Sequence, residues 1–359
     1  MTITVDCRWI DASGVGVYLR ECLPFFLDSG HSFYLLGNSQ KIASHAEGKK
    51  NVCILDCSLK PFSLTELFAF PHKLLKKINS GDLFYSPYFN IPGSLTIPIF
   101  TTIHDMVFPD IPHLSSSLGL KARMWFYRRA FKHSKKIFTV SEFSASRIKY
   151  YSQNKVSVVV THSALKPHLF NYSGNEPKKN TILFIGNIKK HKGLSVLVEA
   201  FLEAQKEGLQ HKLIIIGTRD NFRSKDAALS FSDHEDIEFS GFLTEEKLVE
   251  YLSSASLLVQ PSLYEGFCLP PLEALAAGTP SLISDIPVLR EIYSEYPLKT
   301  TGQEFPVFWF KAGDSKDLKE KLLLVLTRKT QDPVELPLPL KNLYTFKKTS
   351  AAILNSLSK

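Results

Sequence analysis

The chain is poor in cysteine and arranges none of it for a metal. Cys7, Cys22, Cys53, Cys57 and Cys268 make an odd set of five with no Cys-x-x-Cys unit, so reduced structural thiols are expected. No Asp-x-Asp pair lies in a loop suited to a divalent cation, and Asp233-His234-Glu235-Asp236 reads as a surface turn before a strand. The expectation is a metal-free protein. Also lacking is any run of about 18 apolar residues that could cross a bilayer. Met1 to Asp6 reads as a strand, without the basic start and apolar core of a signal peptide, which gives the expectation of a cytoplasmic protein. Internal repeats and low-complexity tracts are absent as well.

What is present is a chain of 359 residues with a formal charge of +8. That length exceeds what one core usually serves, so two domains are expected. The positive balance permits nucleic acid, an anionic membrane or phosphorylated ligands as partners. Aromatic residues do not interleave with a basic stripe as in single-strand binders, so nucleic acid is not expected.

Short apolar strands alternate with helices from end to end, the pattern of a parallel α/β protein. Strands are expected at Ile3 to Asp6, Ser32 to Leu36, Val52 to Leu55, Leu83 to Tyr85, Ile97 to Ile103, Lys136 to Val140 and Val156 to Val160. Periodicity fails between Leu165 and Lys179, where turn residues suggest a linker. A second alternation follows, with strands at Thr181 to Ile185, Leu213 to Ile216, Ile237 to Phe239, Leu257 to Gln260 and Ser281 to Ser284. The reading is two Rossmann-like domains, residues 1–170 and 176–340, facing a central cleft with ligands at the carboxyl ends of the strands. An amphipathic helical pattern begins near Tyr344.

The most informative run is Glu265 to Pro280, in which seven residues separate Glu265 from Glu273. Pro270-Pro271 suits the first turn of a helix and Gly278 its end. Two carboxylates thus flank one helix start, whose amides attract phosphate oxygens while ionised carboxylates accept hydrogen bonds from hydroxyls. Upstream, Phe184-Ile185-Gly186-Asn187 ends a strand and leads through Lys189, Lys190 and Lys192 toward a helix. Near the N-terminus, Asp11 to Tyr18 carries Gly14 and Gly16 before a helix expected to start near Val17. His104 closes the apolar strand from Ile97 and is expected to face the cleft. Ser141 reads as a helix N-cap with a structural role.

Tyr264-Glu265-Gly266-Phe267 through Ala277-Gly278-Thr279-Pro280 resembles the signature of the family 4 retaining glycosyltransferases, and the resemblance extends over nearly the whole chain. It implies the GT-B fold, in which a C-terminal helix, here residues 344–359, crosses back onto the first domain, and a retaining, metal-independent hexosyltransferase. The donor would be a GDP- or UDP-linked sugar, with mannose favoured, and no cofactor is implied. The acceptor would be a glycan or a lipid-linked saccharide in surface polysaccharide or lipopolysaccharide synthesis. Carried onto this sequence, the resemblance makes His104, Glu265 and Lys192 catalytic. It places Gly14, Gly16, Asn187, Gly266, Phe267, Cys268, Leu269 and Glu273 around the donor. Lys192 and the amides of Gly266 to Leu269 would meet the diphosphate, Glu265 the sugar, and Glu273 the ribose, while His104 would donate to a sugar hydroxyl. Two departures stand out: Asn187 occupies a place where many members have arginine, and Tyr296 to Gly302 diverges locally. A GT-B phosphorylase or hydrolase and a non-catalytic nucleotide-binding protein are the alternatives. Hydrolysis fits less well, because glutamates split by a helix start address ligand hydroxyls rather than one scissile bond.

Two stretches of the first domain suggest a membrane face. Pro61 to Ile78 mixes aromatic and aliphatic residues with a basic end, and a basic helix is expected from about Lys121 to Lys136. Docking on the inner membrane face is the expectation.

Overall fold

The computed structural model describes residues 1–171, 176–217, 234–294, 306–327, 334, 336 and 338–358. The chain divides into two compact units, Met1–Ala164 with Tyr344–Lys359, and Leu165–Leu343. The divergent stretch from Tyr296 to Gly302 lies outside the described residues.

The first unit holds a seven-stranded sheet made of β1 (Thr2–Asp6), β2 (Ser32–Gly37), β3 (Val52–Asp56), β4 (Leu83–Ser86), β5 (Ile99–Thr102), β6 (Ser134–Thr139) and β7 (Ser157–Val160). The second holds six strands: β8 (Lys179–Ile185), β9 (Lys212–Ile216), β10 (Ile237–Gly241), β11 (Ala255–Gln260), β12 (Ser281–Ser284) and β13 (Val307–Phe310). All strand pairs are parallel. Helices cover parallel sheets on both faces, which is why strands such as Leu213 to Ile216 are apolar without alternation and fully buried.

The orders are β3-β2-β1-β4-β5-β6-β7 and β10-β9-β8-β11-β12-β13. Each sheet is wound outward twice from a central pair, β1 beside β4 and β8 beside β11. Successive loops diverge at that pair, leaving a crevice at the carboxyl ends where ligands of such sheets bind.

The helix Pro270–Ala276 starts on two prolines, whose missing amides fall where the first turn needs none, and gives way to Gly278 at φ 81°. The C-terminal helix Phe346–Leu357 packs in the first unit against the helix Ser13–Leu27, with Ser350 Oγ donating to the Cys22 carbonyl at 3.4 Å.

Several expected boundaries shift. The first helix starts at Ser13 rather than Val17, so Gly14 and Gly16 lie inside its opening turns and not in a loop before it. The segment from Pro61 to Ile78 forms two short helices, Leu64–Phe68 and His72–Ile78, interrupted at Pro71. Its basic neighbour runs Ser117–His133, and Lys135 and Lys136 belong instead to β6. Strand β13 and the helix Ser315–Thr327 complete the second unit beyond the last strand expected there.

Candidate functional site

In the second unit the crevice lies after β8 and β11. The loop after β8 enters a 3-10 turn Lys190–Lys192 and then Gly193, whose φ is 68°. A Cβ at Gly193 would stand 1.9 Å from the Pro261 carbonyl oxygen. Only glycine lets this loop lie against the chain leaving β11, and that contact carries Lys192 to the glutamate loop. Lys192 Nζ reaches both Glu265 oxygens, at 2.7 and 2.8 Å.

Glu265 is held from the other side by two residues that the sequence reading missed. Gln260, at the end of β11, donates to Ser262 Oγ at 2.9 Å, and Ser262 donates to Glu265 Oε1 at 2.6 Å. The signal was a glutamine closing an otherwise apolar strand. Burial raises the Glu265 pKa, but the attraction and hydrogen bonds of Lys192, with the bond from Ser262, outweigh it and leave the acid below its ordinary range. Glu265 is therefore ionised and fixed. Lys192, expected to serve the phosphates alone, is already paired with the carboxylate expected to serve the sugar.

Glu273 stands in the first turn of Pro270–Ala276 and is buried. Among the described residues nothing hydrogen-bonds its carboxylate. Burial raises its pKa against the pull of Lys166, a lysine itself held by Glu245 at 2.6 Å. The acid is thus largely buried with no hydrogen bond to its carboxylate among the described residues, which fits it to accept from hydroxyls.

Gly266, Phe267, Cys268 and Leu269 join the two acids. Cys268 adopts φ 75°, a left-handed conformation that favours glycine, and Tyr293 Oη donates to its carbonyl at 2.9 Å. Burial and the neighbouring Glu265 carboxylate push its thiol well above the usual range, so it is no nucleophile. Asn187 follows Gly186, whose amide donates to the Ile216 carbonyl at 3.0 Å. A Cβ on Gly217 would lie 2.2 Å from the Gly186 oxygen, so these two loops also touch through glycine.

In the first unit His104 follows β5, and Tyr18 of the first helix packs on it with the two rings edge to face at 5.0 Å. His104 Nε2 lies 2.9 Å from the Pro87 carbonyl, which can only accept, so Nε2 carries the proton. Burial lowers the pKa to about 4, against the raising effect of that bond. The expected donation from His104 to a sugar hydroxyl is therefore corrected. The neutral ring has spent its N–H on Pro87, and Nδ1 can only accept.

Gly16 acts by packing, since a Cβ there would sit 2.6 Å from the Ile10 carbonyl oxygen, whereas a Cβ at Gly14 would meet nothing within 4 Å. Beside them lies a buried network absent from the sequence reading. Arg8 NH2 reaches Asp6 and Glu66, each at 2.6 Å, and Asn90 Nδ2 donates to the same two acids at 2.9 and 3.0 Å. Its members bond one another, with further partners in the Leu59 carbonyl, the Trp9 indole and the Phe62 amide. Among the described residues no group of three or more His, Cys, Asp or Glu side chains could hold a metal ion.

Two family models match in succession, "Glycosyltransferase Family 4" over residues 12–162 and "Glycosyl transferases group 1" over residues 166–336. Among curated proteins, an N,N'-diacetylbacillosaminyl-diphospho-undecaprenol alpha-1,3-N-acetylgalactosaminyltransferase of Campylobacter jejuni is 26% identical over 56% of this chain and 53% of its own length. The O-antigen chain mannosyltransferase B of Escherichia coli is 25% identical over 59% of each chain. The alignments thus span little more than half the length of these relatives. The solved structure of the Anabaena protein HepE with UDP-glucose superposes with a TM-score of 0.71 at 13% identity, covering 100% of this chain and 99% of that one. That likeness extends the two sheets to the two-domain architecture called GT-B. Matched in order by both models, with the paired glutamates in the crevice of the second sheet, the chain belongs to the family 4, group 1 glycosyltransferases.

Proposed function

We propose that the protein transfers a hexose, mannose in the first instance, from a nucleoside diphosphate sugar to a hydroxyl of a glycan or lipid-linked acceptor, with retention at the anomeric carbon and without a metal. The observation that carries this reading is the pair of buried glutamates in different states. Glu265 is ionised, oriented and tied to a lysine, while Glu273 is buried and, among the described residues, without a hydrogen bond to its carboxylate. The first suits a sugar whose charge changes during reaction, the second a ribose diol that binds and stays.

As the anomeric C–O bond breaks, negative charge grows on the leaving diphosphate, and Lys192 and the amides of Cys268 and Leu269 stabilise it. The acceptor oxygen forms the new bond on the face the diphosphate leaves, and its proton passes to the departing phosphate oxygen. Glu265 holds the sugar hydroxyls, and Lys192 couples that grip to the phosphate charge. His104 Nδ1 accepts from a sugar hydroxyl. The mannose preference rests on the O-antigen mannosyltransferase relative, and a lipid-linked acceptor on the undecaprenol-linked one.

A panel of GDP- and UDP-sugars incubated with a short mannoside or a polyprenyl-diphosphate saccharide tests the reading. Nucleotide release from GDP-mannose that persists in EDTA is expected, with an α-linked product by proton NMR. Release that only magnesium or manganese restores, or a β-linked product, would overturn the metal-free or the retaining part respectively.

A further inference from the structure

The helix Ser117–His133 shows an exposed stripe that is both apolar and basic. Leu118 and Trp125, seven residues apart on one helical face, are 79% and 46% exposed. Lys121, Arg128 and Lys132 stand exposed on the same face, at intervals of three, seven and four residues after Leu118. Close by, the helix Leu64–Phe68 leaves Leu64 and Phe68 75% and 79% exposed. The two helices are neighbours: Phe62, just before the shorter one, packs on Phe126 at 4.7 Å between ring centroids. Farther on, Gly93 donates to the Glu66 carbonyl at 2.9 Å, and Arg129 donates to the adjoining Pro92 carbonyl at 3.3 Å.

The core takes other residues of these stretches. Phe70 and Tyr127 belong to the buried cluster of the first unit, and the half-buried Phe62 and Phe126 pack against it, so the exposed ones are not the edge of an unfinished core. Acidic charge is missing from this face. Between Ser58 and Ser80 the sole acid is Glu66, and between Ile111 and Lys136 there is none. Glu66 itself points inward, fully buried on Arg8 and Asn90.

From this pairing of bare apolar side chains with unopposed cations we infer that the face docks on an anionic lipid surface. Leu64, Phe68, Leu118 and Trp125 enter the headgroup boundary, and Lys121, Arg128 and Lys132 meet the lipid phosphates. Charge alone would fit a soluble polyanion equally, but four large apolar side chains would then stay in water. The bilayer covers both kinds of group. The inference deepens the sugar-transfer reading by bringing the enzyme to an acceptor anchored in that surface, yet binding requires no turnover.

Full-length protein is sedimented with phosphatidylcholine vesicles with and without phosphatidylglycerol, across a salt series. Binding to the anionic vesicles alone, weakening with salt, is expected. The L64S/F68S/W125S variant should partition at least about tenfold less, and the loss of each basic residue should weaken binding about fivefold. Transfer to a soluble acceptor should be unchanged in all of these variants, which separates failure of docking from failure of the activity. Trp125 emission should shift to the blue on the anionic vesicles, and that shift should vanish in W125F. This fluorescence readout decides the matter even where the triple variant fails to fold. Equal binding to neutral vesicles, wild-type partition of the triple variant, or tight binding to RNA with no Trp125 shift would each overturn the proposal.

Discussion

The two sheets share one winding order and put different chemistry in the same place. At the central pair of the first sheet, Arg8, Asp6, Glu66 and Asn90 bond one another, and the Leu59 carbonyl, the Trp9 indole and the Phe62 amide supply further partners. At the central pair of the second, Lys192 and Glu265 are paired, but Glu273, eight positions further on in sequence, has no hydrogen-bonding partner for its carboxylate among the described residues. Both are buried charge clusters. A closed cluster orders loops, whereas an open one waits for a ligand. Burial of charge therefore does not identify a site, and incomplete satisfaction of that charge does.

Substitution on each side should separate these roles. Arg8→Met should have the largest effect, since it strands two buried carboxylates and should cost about 3–5 kcal/mol. A urea titration should show it, and a midpoint within error of wild type would mean that the first cluster is not structural. Glu265→Gln should act the other way. Glutamine keeps the Ser262 contact, so the melting temperature should hold while turnover falls about a hundredfold, the scale of one lost group that stabilises the transition state. If stability fell along with activity, the contrast between the clusters would fail.

The histidines compare the units by titration. His104 and His191, one in each, are both depressed from the usual 6.5 to about 4, chiefly by burial. An unfolded chain binds protons to them from 6.5 downward, and the folded one only near 4. The stability each supports is complete above 6.5 and is lost as pH falls from there through about 4. His104→Asn and His191→Asn should each flatten the acid loss of stability in that window. A variant as acid-sensitive as wild type would show that its histidine is not buried neutral. The smallest change should be Cys268→Gly, which relieves the left-handed backbone at φ 75° and should stabilise by less than about 1 kcal/mol. A loss instead would show that the thiol's packing outweighs the strain.

The strands and the glutamate helix were legible because their signals are local: apolar runs, paired prolines at a helix start and a glycine at its end. Gly14 and Gly16 misled for the same reason. Glycine reads as a break, but the helix runs through both, and at Gly16 the close Ile10 carbonyl leaves room for no side chain. Lys192 and Glu265 are 73 residues apart, and nothing in either segment announces that they pair. Their meeting depends on β8 lying beside β11 and on Gly193 admitting the Pro261 carbonyl. Arg8, Glu66 and Asn90 come from three segments far apart in sequence, Glu66 from the helix Leu64–Phe68, and were invisible for the same reason. His104 was found, but its tautomer is set by Pro87, a residue with no polar side chain to signal it.

Glu273 carries one more consequence, a linkage between nucleotide and solvent acidity. An acid held above its ordinary range keeps its proton at pH values where a free glutamate has lost it. On the proposed reading a ribose diol donates to that carboxylate and needs it bare, so docking the nucleotide expels a proton. Across the titration of the empty site, affinity should climb with pH and then level off once Glu273 is ionised. The binding enthalpy should in turn depend on the buffer that takes up the released proton. The enzyme would take its donor more tightly in alkaline surroundings than in acidic ones, through one side chain that never enters the bond-breaking step.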